Sequence, residues 1–354
     1  MAEQLASLDA NRKIKSWLLI ILLGILLILL FLVDLLTGPV HIPFRNIFTL
    51  FFHSDAGNDV WHSILFEFRL PKAITAVLAG SALAISGLQM QTIFRNPLAG
   101  PDVLGISSGA SLGVALVVLG FGSYFSFNSS AGLSSWLQII AAWIGSGMVL
   151  FLVMLVSLRV RDIMTILILG ILFGSAASAL VSIMQYFSHQ SMLKAFVVWS
   201  MGSLGNLTSP QLQVLSISLL IGFLLSVFSI RSLNVLLLGE NYSRTLGVNI
   251  KFIRFIVFVS TSILSGSITA FCGPLAFVGI VVPHLARMLF KTADHKLLMP
   301  ACFLMGGLLM LLADLISQFP GSQSVLPINS VTAILGVPVV IWVIMVNRRF
   351  VNVS

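Results

Sequence analysis

About ten stretches of roughly 20 predominantly apolar residues recur along the chain, and this recurrence constrains the fold more than any other feature. A helix rises about 1.5 Å per residue, so about 20 residues match the ~30 Å hydrocarbon core of a bilayer. Bounded by charges, proline and glycine, or polar clusters, the runs predict spans near 16–36, 72–93, 103–119, 136–157, 162–187, 209–230, 250–272, 276–290, 297–317 and 329–347. Composition agrees, with 58% of residues hydrophobic and 8% charged, where a soluble domain carries about 25% charged residues. The expected fold class is an all-α polytopic membrane protein with one transmembrane domain over 1–354. The eighth run is interrupted by Pro283 and His284, so a buried core helix or a re-entrant segment fits it as well as a span.

The first run, Trp17 to Val33, follows Arg12, Lys13 and Lys15 and superficially resembles a signal peptide. It is too long for one and lacks a small-residue cleavage site, so it reads as an uncleaved first span. With the N-terminus inside, the inner segments hold fifteen of the nineteen Lys and Arg residues, leaving only Arg45, Arg69, Lys72 and Lys194 outside. That bias obeys the positive-inside rule and places both termini in the cytoplasm. It also accounts for the net charge of +8 without a nucleic-acid partner.

Chemistry-bearing residues are sparse. Cys272 and Cys302 sit in apolar runs and read as small hydrophobes. None of His41, His53, His62, His189, His284 and His295 forms an i, i+4 pair or a ligand cluster, so no metal site is expected on this chain. A substrate that arrives already chelated suits that pattern, as does any substrate without a metal. Only Asp314 lies well inside a run, with Asp34 near the end of the first. The reading of Asp314 is either a hydrogen bond that packs helices or a place on a substrate path. No nucleophile elbow, phosphate loop or His-Glu-x-x-His motif occurs, so no catalytic residue is assigned.

Small residues, among them Gly80, Ser81, Ala84, Gly87, Gly170, Gly174, Gly306 and Gly307, predict close helix contacts. Ser86-Gly87 followed by Asn96-Pro97-Leu98-Ala99 is echoed by Ser265-Gly266 followed by Gly273-Pro274-Leu275-Ala276. The two copies fall on opposite sides of the membrane, as an inverted repeat of spans 2–5 and 7–10 requires. Two connections are long and polar, 37–66 outside and 231–250 inside. The inner one reads as two short helices broken at Gly239, the second running from Glu240 to Leu246 and stopped by Gly247. Such a knob either docks a partner or rests on lipid headgroups.

Five motifs carry a family resemblance. The run from Phe94 through Asn96-Pro97-Leu98-Ala99-Gly100-Pro101-Asp102 to Gly109-Ala110 is the first of them. Arg69-Leu70-Pro71-Lys72, Leu238-Gly239-Glu240 to Leu246-Gly247-Val248, Gly273-Pro274-Leu275-Ala276 to Val282-Pro283-His284, and Leu326-Pro327-Ile328-Asn329 to Gly336-Val337-Pro338 are the others. Together they resemble the FecCD-type permeases, subunits of ATP-driven importers of iron-siderophores, haem and vitamin B12. The resemblance implies a ten-helix subunit of the bacterial inner membrane, working as a homodimer or paired with a homologous permease. It also implies two ATPase subunits that bind ATP and Mg, and an extracytoplasmic substrate-binding protein.

By the same resemblance, Leu238, Gly239, Glu240, Arg244, Leu246 and Gly247 would couple to the ATPase. Asn96, Leu98, Ile163 and Met164 would form the inner gate, although Asn-Pro is also a plain helix stop. A short outer helix over about 191–203, with Trp199, Met201 and Gly202, would guard the outer entrance. Arg69 and Lys72 would dock the binding protein or anchor in headgroups, and a third basic docking position is replaced here by Gln318. Iron(III)-siderophore is the first expected cargo, with haem and vitamin B12 as alternatives. An ATPase-independent secondary carrier shares the composition but would need ion-coupling residues that are not evident.

Overall fold

The computed structural model describes residues 2–38, 40, 59–121, 131–157, 159–160, 162–318 and 325–351. Arg45, His41, His53 and Arg161 lie outside the described residues, and the side chains of Arg12, Lys13, Arg348 and Arg349 are likewise not described. Each of the ten apolar runs forms a helix. They are α1 (Ala2–Leu36), α2 (Leu70–Ile93), α3 (Ile106–Ala115), α4 (Ala131–Ser157), α5 (Ile163–Phe187), α7 (Ser209–Leu236), α9 (Ile250–Cys272), α10 (Val278–Phe290), α11 (His295–Ser317) and α12 (Ile328–Val351). Between them lie α6 (Gln190–Ser200) and α8 (Glu240–Thr245). Helical segments Asp59–Ser63 and Ile64–Arg69 lead into α2, and Leu116–Gly120 continues α3.

Among the described residues, seven of these helices are long and apolar enough to cross a bilayer, while Ile106–Gly120 and Val278–Phe290 are shorter. At 13 residues, α10 is about 20 Å long and cannot span ~30 Å of hydrocarbon alone. Its Val278, Val281, Val282, Pro283, His284 and Ala286 are buried, so it is a core helix sheltered by its neighbours.

Helix starts follow side-chain capping. Asp162 accepts the Thr165 N–H at 2.8 Å for α5, Asn249 accepts the Phe252 N–H at 3.2 Å for α9, and Asp294 caps α11 through the Lys296 N–H at 2.9 Å. Each supplies an acceptor to a backbone donor that the helix itself cannot satisfy.

The packing obeys an inverted repeat. α2 packs on α11 as α9 packs on α4, α3 on α4 as α10 on α11, and α2 on α10 as α9 on α3. Likewise α3 meets α5 as α10 meets α12, α4 meets α5 as α11 meets α12, and α2 meets its own image α9. Both short helices, α3 and α10, occupy equivalent places, and each is entered through a left-handed residue, Gly105 (φ 72°) or Phe277 (φ 68°). The equivalent pair α2 and α9 forms the centre: 83% and 72% of their most apolar windows are buried, against 11% for α1. α1 and α7 break the symmetry, since α1 packs on α11 whereas α7 packs on α9 and α2.

Close approach at small residues holds this core. A Cβ on Gly80 would lie 2.0 Å from the Gly306 carbonyl oxygen, and one on Gly87 would lie 1.7 Å from that of Gly279. Gly266, the repeat partner of Gly87, faces Ser146 and Ile106. In lipid, such backbone contacts supply the packing that a hydrophobic force supplies in water.

One expectation is corrected. The first short helix of the 231–250 segment is not separate, because α7 runs unbroken to Leu236. Its 28 residues extend about 42 Å, longer than the ~30 Å hydrocarbon core, so its last turns stand beyond the lipid and imitate a loop helix in the sequence.

Candidate functional site

Most basic residues gather at one end of the bundle, where α2, α4 and α7 finish and α9 and α11 begin. There α8 is held by two polar ties. The buried Ser243 hydroxyl donates to the Val235 carbonyl at 3.0 Å and to that of Gly239 at 2.7 Å, fixing α8 to the end of α7. Glu240 pairs with Arg254 of α9, whose side chain is 9% exposed. Arg244 lies farther from Glu240, at 3.9 Å, and is exposed. Gly239 (φ 108°) and Gly247 (φ 75°) make the turns into and out of α8, in backbone conformations that favour glycine. Leu238, Tyr242 and Leu246 are left more than half exposed at the tip.

The 94–105 connection is pinned to α10. His284 Nε2 donates to the Pro97 carbonyl at 2.8 Å. The Gln91 amide donates to the Ile280 carbonyl at 3.2 Å, and Arg287 donates to Gln91. Asn96 Oδ1 accepts the Leu98 N–H at 3.0 Å, an Asx turn behind the left-handed Arg95 (φ 47°). Leu98 and Met164 project from the bundle, 41% and 45% exposed. A cleft of about 540 Å³ joins Arg95, Asp162 and Ile163 to Leu238, Gly239, Glu240, Asn241 and Tyr242. Ile163 therefore shares walls with the α8 segment, whereas Asn96, Leu98 and Met164 lie off this cleft. The Thr165 hydroxyl and N–H, both donating to Asp162, hold its carboxyl below the usual carboxylate range.

At the opposite end, the expected outer helix is α6. Its Phe196 is buried, and Met201 and Gly202 (φ 75°) turn the chain back over the bundle. The Ser203 N–H bonds the Cys272 carbonyl at 2.8 Å, and the Asn329 N–H bonds that of Met201 at 3.3 Å. A cavity of about 790 Å³ lies beneath, walled by Trp199, Met201 and Gly202 and by Asp34, Arg69, Lys72, Gln211, Asp314 and Gln318.

Arg69 and Lys72 do not present free charges. Arg69 is buried and donates to the Leu35 and Leu36 carbonyls at 2.9 and 3.2 Å and to that of Val40, capping α1. Lys72 Nζ sits 2.9 Å from Asp314 Oδ1. Gln318 takes the third docking position that the resemblance implies to be basic, and its amide bridges Asp314 (2.8 Å) and Asp34 (3.2 Å). Asp314 thus packs helices through Lys72, Gln318 and Ser317.

Sequence reasoning missed Ser243 and Arg254. Only Arg254, a cation five residues past the cap of an apolar helix, carried a signal. Among the described residues, no three His, Cys, Asp or Glu side chains gather as a metal site.

Comparison with known proteins accords with this geometry. The FecCD transport family model matches residues 26–346. The chain is 34% identical to the hemin transport system permease protein HmuU of Yersinia pestis over 340 residues, covering 96% of this chain and 98% of that protein. It is 35% identical to the vitamin B12 import system permease protein BtuC of Salmonella typhimurium over 286 residues, covering 80% and 84%. Among solved structures, a metal-chelate type ABC transporter in an inward-facing conformation superposes with a TM-score of 0.78 at 29% identity, covering 93% of this chain and 99% of that one. PsaBC from Streptococcus pneumoniae shares the fold alone, with a TM-score of 0.54 at 16% identity over 79% and 92% of the two chains. The chain belongs to the FecCD transport family and is the membrane permease subunit of an ABC importer, with ATP hydrolysis left to separate ATPase subunits.

Proposed function

We propose that the chain imports a bulky metal chelate, iron(III)-siderophore first, with haem and vitamin B12 as the competing cargoes. Two copies, or this chain and a homologous permease, would enclose the path. The basic end would face the cytoplasm of a bacterial inner membrane and receive two ATPase subunits. Cargo would arrive at the opposite end from a binding protein.

The observation that carries this reading is the inner cleft, where Ile163 and Arg95 share walls with Leu238, Gly239 and Glu240. A push on the exposed Leu238, Tyr242 and Leu246 reaches α9 through Glu240–Arg254 and α7 through Ser243. The start of α5 faces the same segment across the cleft, which movement of α8 would widen or narrow. Rigid ties of this kind turn a partner's movement into a shift of packed helices. Asn96, Leu98 and Met164 would then narrow the path beside Ile163. At the outer end, Trp199, Met201 and Gly202 would flank cargo arrival, while Arg69 and Lys72 hold the wall beneath.

Uptake into proteoliposomes containing permease, ATPase and binding protein tests the proposal. Vanadate should abolish uptake, and titrating the binding protein with ferric siderophores, haem and cobalamin should yield one tight cargo. Uptake that persists with an ATPase-dead partner would instead support a secondary carrier. Tight binding of haem or cobalamin alone would reject the siderophore.

A further inference from the structure

We propose that the chain holds an anionic phospholipid in a cleft between α4 and α9 at the basic end of the bundle. The cleft measures about 590 Å³ and lies between two packed spans, with Arg244 of α8 on its edge. α4 ends at this face and α9 begins there, so the two run in opposite directions past the opening. Both change character with depth. Phe151, Met154 and Leu155 of α4 and Phe255 and Phe258 of α9 form the inner walls, while Asn249, Lys251 and Arg244 stand at the rim.

That gradient is the profile of a lipid, with an acyl slot below and a headgroup ledge above. Phe151 is 60% and Phe255 54% exposed in the isolated chain, apolar surface that an acyl chain would cover. At the rim, Arg254 is engaged by Glu240, whose other oxygen lies 3.9 Å from Arg244. Asp162 also lies within electrostatic reach of Arg254. Lys251 and Arg244, both exposed, line the cleft as its outer cations. A phosphodiester there would complete the charge pattern, and basic pockets between helices on the inner face favour such headgroups.

Native mass spectrometry of the detergent-purified permease–ATPase complex, titrated with phosphatidylglycerol or phosphatidylcholine of equal chain length, tests this. The anionic lipid should be retained about 25-fold more strongly, since each of the two surface cations adds roughly fivefold. Lys251→Glu should erase that preference and Arg244→Gln should weaken it about fivefold. Arg231→Glu, at the same end but off the cleft, should leave it intact. Equal retention of both lipids, or an unchanged preference in Lys251→Glu, overturns the proposal. So does displacement of the lipid by millimolar inorganic phosphate, which would make the rim a simple anion site. Loss of ATPase subunits from Lys251→Glu with lipid retention unchanged would assign the cations to a protein interface and also overturn it.

Discussion

Lys72 and Asp314 form an ion pair at 2.9 Å between α2 and α11, with Asp314 only 1% exposed. Gln318 ties the same carboxylate to Asp34 of α1, which lies within electrostatic reach of Arg69, so the Lys72 ammonium is the direct partner of Asp314 in a site with two acids. Removing one partner of a buried pair leaves an uncompensated charge and costs about 3–5 kcal/mol. Lys72→Met should therefore lower the detergent melting temperature more than Asp314→Asn, which keeps an acceptor for Gln318. Equal losses would show that the second carboxylate plays no part.

The contact between Gly80 and Gly306 sets a second expectation. A Cβ at Gly80 would stand 2.0 Å from a backbone oxygen, with no flexible side chain to move aside. Gly80→Ala must separate α2 from α11, and overpacking of this kind costs about 1–3 kcal/mol or more. Gly24→Ala in α1, where nothing lies within 4 Å of the added carbon, should be neutral or stabilising. Thermal unfolding of the two variants side by side decides it, and equal melting temperatures would reject the account.

Much of this architecture is legible in the sequence because lipid demands long apolar runs, which leave little ambiguity of element type. The inverted repeat is legible in Ser86-Gly87 and Ser265-Gly266, small pairs at equivalent places in α2 and α9, where Gly87 meets the Gly279 backbone and Gly266 meets the Ser146 and Ile106 side chains. Side-chain direction was not legible. Arg69 and Lys72 look like free outer cations in the sequence, yet they cap α1 and pair with Asp314, partners 29 or more residues away. Ser243 looked like ordinary loop polarity, since nothing local records that the end of α7 lies beside it.

Asp162 gives a pH test. Hydrogen bonds from Thr165 lower its folded-state pKa below the usual carboxylate range. A depressed carboxyl stabilises the fold fully above its unfolded value, and that contribution disappears as pH falls through the folded value. Wild type should melt above Asp162→Ala at about pH 6, and the gap should narrow as pH falls below the ordinary carboxylate value and through the lowered folded one. A gap that widens on acidification would contradict the cap.

Glu240 reaches two arginines of different standing. Arg254 is nearly buried and paired closely, whereas Arg244 is exposed and 3.9 Å away. An exposed pair of that kind is worth about 0–1 kcal/mol, while stranding a buried cation costs several times more. Glu240→Gln should therefore release α8 from α9 and uncouple the subunits. The expected result is an ATPase rate that no longer rises with cargo-loaded binding protein, although the leucine tip is unchanged. Arg244→Ala should leave that stimulation within about twofold, since it removes only the weak pair. A stimulated ATPase rate in reconstituted Glu240→Gln, matching wild type, would show that force passes through the apolar tip alone and that the Glu240–Arg254 tie is not part of the transmission.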